Sequence, residues 1–144
     1  MKSRESLIRL HRFQVDERRR QVAELETMLE EFRRREHDLD LQVQAEQEKA
    51  GISDIAHYAY PMFAKSMRDR RENILQSISD VSLQLESAKD DLASAYRELK
   101  KYELIEESRK RRVRGKLARI EQQELDEVAL AIHRRTSIEA EFNT

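Results

Sequence analysis

The chain has 144 residues, with 28 Lys and Arg against 29 Asp and Glu, a formal net charge of −1 and 40% charged content. Its 38% apolar fraction, two glycines, one proline and absent tryptophan suit long solvated helices and not a globular core. Without cysteine it can form neither a disulfide nor a thiolate metal site, which fits a reducing compartment. The opening Met1-Lys2-Ser3-Arg4-Glu5 meets charge at once and lacks the apolar stretch of a secretory signal. No apolar run approaches the roughly 20 residues that span a bilayer, so no transmembrane segment is expected.

The first third carries a ladder with a period of seven. Ile8, Val15, Val22, Leu29, Val43 and Ala50 share one heptad position, interrupted at Glu36, and Leu25, Phe32 and Leu39 fill the partner position. Such a stripe is buried only against another helix. Helix 1 is expected over about residues 3–50. Gly51 should stop it by taking positive φ, and the turn should cover about 51–60. Within that turn, Ser53-Asp54 offers an N-cap to a short helical turn over Ile55–Tyr58. Pro61 suits a first helical turn, where its missing N–H costs nothing. Helix 2 is expected over about 61–135, with residues 136–144 forming a disordered tail.

Helix 2 repeats the pattern with Ile74, Ile78, Val81, Leu85, Ala88, Leu92, Ala95, Leu99 and Tyr102, alternately four and three apart. The two ladders predict an all-α protein: one monomeric domain of two long helices in an antiparallel coiled-coil hairpin, with helix 2 overhanging at the C-terminus. Folding about Ala56 sets Ile8 near Leu104 and Leu29 near Leu83, with Leu29 and Leu85 in one seam. In the overhang Val113, Leu117, Ile120, Leu125, Val128 and Ile132 keep helical spacing with one five-residue step, which shifts the stripe around the helix. A two-helix seam has no interior for a pocket, so function is expected on the outer surface and at the ends.

Catalytic signatures are missing. Two glycines cannot build a phosphate loop, and His11, His37, His57 and His133 lie far apart without metal-ligand spacing. No catalytic residue, cofactor or metal is assigned, and the abundant carboxylates belong to solvated faces. The charge distribution says more. Arg109, Lys110, Arg111, Arg112, Arg114, Lys116 and Arg119 place seven cations together with no acid between them. The first twenty residues carry seven more cations, Arg4 among them, against three acids. An antiparallel fold should bring both segments to one end, as a binding site for an acidic partner. Nucleic acid is a poorer fit: a basic zipper precedes its heptads, this block follows them, and no aromatic residue is interleaved for stacking. At the turn, Tyr58, Tyr60, Pro61, Met62 and Phe63 concentrate apolar and aromatic surface in a chain that is 6% aromatic. Exposed aromatics and methionines of this kind anchor protein partners.

The opening MKSRESLIRLHRFQVDERRRQVAELE, the turn AGISDIAHYAYPMFAKSM and the following RRENI resemble the flagellar export protein FliJ family in its alphaproteobacterial form, over roughly Met1 to Glu107. The resemblance implies a non-enzymatic, cytoplasmic component of the flagellar type III export apparatus, at the inner face of the cell membrane with the flagellar base. It implies an antiparallel coiled coil resembling a rotary ATPase stalk. Its partners would be a hexameric export ATPase around the open end, the cytoplasmic domain of the export gate, and export chaperones. The gate contact would fall on Phe63, Met67 and Ile74, beside Tyr58 and Tyr60, and the ATPase contact on Arg4, Arg109, Arg111, Arg112 and Arg114. From the residues alone, a virulence-type secretion stalk and a dimeric structural or nucleic-acid-associated coiled coil stay open.

Overall fold

Two helices make up the computed structural model, which describes residues 2–52 and 54–143, and their side chains except those of residues 2, 52 and 54–57. Helix α1 runs Lys2–Ile52 and α2 runs Asp54–Phe142. They pack against each other as a helical hairpin, with no strand among the described residues. By its packing the chain divides into two units, residues 2–99 and 100–144.

In the first unit the seam follows the two ladders. Val15, Val22, Leu29, Leu39, Met67, Val81, Leu85, Ala88 and Leu99 are buried. Val22, Leu29, Val81, Leu85 and Ala88 form one cluster, with Leu25, Phe32, Ile78 and Leu92 packed against it. Leu29 and Leu85 thus share the seam. Side chains with seven-residue spacing stay on one face because two turns of an α-helix almost close on that period.

The register differs slightly from the expected one. Gln47 bonds Tyr60, Arg71 meets Asp40 and Glu36, and Arg18 meets Asp91, so paired residue numbers add to between 107 and 111. The hairpin therefore folds about residue 54 or 55 and not about Ala56. Leu83 consequently points away from the seam at 64% exposed, and Leu29 packs instead with Val81 and Leu85.

Each helix also exceeds its expected bounds. Gly51 lies inside α1 and has no positive φ, since a helical glycine costs only about 1 kcal/mol relative to alanine. Of the expected 51–60 turn, 51–52 continue α1 and 54–60 belong to α2, which already begins at Asp54. The proposed Ser53 cap lies outside the described residues. Pro61 is accordingly inside α2 and not in its first turn, where its ring removes one backbone donor from the ladder. At the far end 136–142 is helical where a disordered tail was expected. This stretch holds no glycine or proline, Thr136 Oγ1 donates to the Ile132 carbonyl at 2.9 Å, and Asn143 N–H donates to the Glu139 carbonyl at 3.1 Å.

Candidate protein-binding surfaces

The aromatic group near the start of α2 separates into a seam-facing part and an outward part. A helix turns 100° per residue, so side chains four apart share a face while neighbours diverge. Met67 is buried at 8% exposed, and Phe63 and Ile74 are half-buried. Tyr60 is also half-buried; its hydroxyl accepts from Gln47 Nε2 at 3.0 Å, and its ring lies 6.4 Å from that of Phe63. A shallow groove of about 280 Å³ runs here, lined by Leu39, Asp40, Val43, Tyr60, Met67 and Arg71 among others. The implied contact stripe Phe63–Met67–Ile74 thus runs along the seam. Met67 packs there and shows only a small surface, in the groove. Tyr58 and Met62, one turn apart, are 84% and 82% exposed. Met62 was named in the sequence only as part of the turn cluster, yet it makes the larger outward patch with Tyr58.

The basic block divides as well. Arg109 is held by Glu106 through two hydrogen bonds, Nη2 to Oε1 at 2.7 Å and Nε to Oε2 at 3.1 Å, and the pair is largely shielded from water. Arg111 Nη2 donates to Glu107 Oε1 at 2.6 Å, in the open. Two of the cations are therefore partly neutralised by acids just upstream, which inspection of the block alone overlooked. Arg112 and Arg114 are exposed and form no ion pair among the described residues. Arg4 is exposed in the first turn of α1.

From Lys110, within the block, through to Asn143 every residue is exposed. Val113, Leu117, Ile120, Leu125, Val128 and Ile132 are 44–64% exposed, an apolar stripe unlike the scattered surface leucines of a soluble protein. Directly after the cations come Glu121, Glu124, Asp126 and Glu127, four acids with no base among them.

Among the described residues, no group of three His, Asp or Glu side chains is placed to hold a metal ion, and no helix is long and apolar enough to cross a membrane. The available chemistry is contact: exposed aromatic and thioether surface, unpaired guanidinium groups and an uncovered apolar stripe. Residues 2–137 match a protein family described as flagellar FliJ protein. No curated protein and no solved structure gave a match.

Proposed function

Because the chain belongs to the flagellar FliJ family and is thereby a flagellar export-associated coiled-coil protein, we propose that it acts as a non-enzymatic stalk and adaptor linking a hexameric export ATPase to the cytoplasmic domain of the export gate, and assisting export chaperones. The observation that carries this reading is the pair of unneutralised cations, Arg112 and Arg114, on an exposed stretch of continuous helix. A narrow helix with charge on its surface suits the pore of a ring. Six copies of an acidic loop would surround it in any rotational state, so attraction centres the helix without one fixed pairing. Arg109 and Arg111 contribute less to such a field, since Glu106 and Glu107 hold them.

The gate is assigned to the other patch. Tyr58 and Met62 offer the desolvatable apolar area typical of binding hot spots, with half-buried Tyr60, Phe63 and Ile74 beside or below them. The two assignments separate cleanly in binding experiments with purified ATPase and purified gate domain. Arg112→Glu with Arg114→Glu should lose the ATPase and keep the gate; Tyr58→Ala with Met62→Ala should do the reverse. Loss of neither partner, or of both together in either variant, would refute a two-ended adaptor.

A further inference from the structure

The adaptor reading leaves two features of the hairpin unused. One is Gly51, which the sequence offers as a turn and the fold passes by; the other is the charged pair Glu36 and Arg71, set into an apolar seam. Glu36 interrupts the first ladder. Arg71 stands in the second, since Met67, Arg71 and Ile74 continue its spacing of four and three. The two meet across the seam: Arg71 Nη1 donates to Asp40 Oδ1 at 3.0 Å, and its Nη2 lies 3.9 Å from Glu36 Oε1.

Apolar packing alone leaves the register open. Sliding α2 along α1 by one heptad puts each seam residue where its neighbour seven positions away now sits. Val22 and Leu29 then exchange places on α1, and Leu85 and Leu92 on α2, so apolar replaces apolar. The charged contact does not survive the same shift. In one direction Arg71 would meet Leu29 and Arg33 in place of Glu36 and Asp40; in the other it would meet Val43 and Gln47. Neither pair offers a carboxylate, and Arg33 adds a like charge. A second contact across the seam is less selective. Arg18, which now meets Asp91, would find Gln84 after the first shift but Glu98 after the second.

The first shift has a turn waiting for it. The present pairs place the fold about residue 54 or 55, and sliding by one heptad moves it by half that length, to about residue 51. Glycine is the residue best suited to the positive φ that closes a helix, yet Gly51 lies inside α1 without it. We infer that the bridge from Arg71 to Glu36 and Asp40 is a register lock. It selects the present alignment over a neighbouring one that buries a similar apolar seam and turns at Gly51. A polar contact that fixes alignment need not add stability, so the lock and the melting temperature are separate quantities. Alignment decides which side chains of each helix the other shields, and so what the hairpin presents on its surface.

Crosslinking reads the register directly, because the chain has no cysteine of its own. Arg18→Cys is combined in turn with Asp91→Cys, which reports the present register, and with Gln84→Cys, one heptad and about 10 Å away along the rod. A short bis-thiosulfonate reagent joins only thiols that face each other. Arg18 is replaced in every chain compared, so differences come from residues 36 and 71 alone. With Glu36 and Arg71 intact, the product within one chain should form mainly through Asp91→Cys. Adding Glu36→Leu with Arg71→Leu removes the lock and should raise the Gln84→Cys product at the expense of the other, changing their ratio about fivefold or more. Glu36→Gln with Arg71→Gln removes both charges but keeps polar side chains, and should move the ratio the same way. Both are measured on chains whose circular dichroism matches wild type. A ratio unchanged in both variants overturns the inference, as does an intact bridge that allows equal joining at the two positions.

Discussion

Arg71 of α2 donates from Nη1 to Asp40 Oδ1 of α1 at 3.0 Å, and its Nη2 lies 3.9 Å from Glu36, one turn earlier on α1. This bridge explains the gap in the first ladder. Glu36 occupies a seam position and is only 26% exposed, so its charge needs a partner from across the seam. Replacing it with a side chain that continues the stripe should therefore stabilise the hairpin. Glu36→Leu is expected to raise the melting temperature, by a shift corresponding to about 1 kcal/mol, in circular dichroism. A lower melting temperature would show that the ion pair holds the register as well as filling the gap.

Arg71→Ala should matter little for stability. Arg71 is 50% exposed and Asp40 43% exposed, so solvent screens the contact, and the loss should stay below about 1 kcal/mol. A collapse of the thermal transition in this variant would mean that the bridge organises the fold around it.

The core responds differently. Leu29 and Leu85 lie in one cluster and are each 8% exposed. Leu29→Ala and Leu85→Ala should each cost about 2 kcal/mol, the low end for buried leucines, because a two-helix seam relaxes into a vacated space more easily than a deep core. The double variant should fall short of the sum, since the two sites touch one cluster. Urea titration measures both quantities, and full additivity would place the residues in independent parts of the seam.

How much of this was legible in the sequence depends on what each feature rests on. The hairpin was readable because Val15, Val22, Leu29 and the Val81–Leu99 series repeat at the coiled-coil period, and all of them are at least half-buried. Register was less readable. Heptads repeat every seven residues and leave the fold point free, so an error of one or two residues sent Leu83 toward the seam. Helix ends were least readable, because neighbouring turns carried α1 through Gly51 and α2 through Pro61 despite their propensities. Met67 held a usable signal. It lies seven residues before Ile74, so the second ladder extends back to it and marks it as a seam residue. The pairing of Arg109 with Glu106, and of Arg111 with Glu107, follows from spacings of three and four. It escaped notice because only acids inside the block were counted.

Around Tyr58, the exposure pattern predicts a separation of binding from stability. Tyr58→Ala with Met62→Ala removes two side chains that are more than four-fifths exposed and should leave the thermal transition within about 0.5 kcal/mol of wild type. Met67→Ala removes a buried one and should cost about 2 kcal/mol. In the adaptor reading, gate-domain affinity falls in the first variant at full stability. Equal destabilisation by both variants would place Tyr58 and Met62 in the packed part of the protein.

The basic block allows a graded test, because its cations differ in what holds them. Arg112 and Arg114 project without a counter-ion, whereas Arg111 already lends part of its charge to Glu107. Under the proposed ATPase contact, Arg112→Glu with Arg114→Glu should abolish stimulation of the ATPase. Arg111→Ala should reduce it modestly, since Glu107 already offsets much of the charge that is lost. Both variants should remain helical, because exposed substitutions on a continuous helix disturb little packing. Salt supplies an independent axis. The screening length is about 10 Å at 0.1 M and about 3 Å at 1 M, so stimulation by the wild-type chain should fall steeply across that range while the hairpin, held by apolar burial, keeps its helicity. ATPase turnover measured with each variant at several salt concentrations decides the matter. If the double reversal stimulates as well as wild type at low salt, the block is a solvated helix face and the ATPase contact lies elsewhere on the chain.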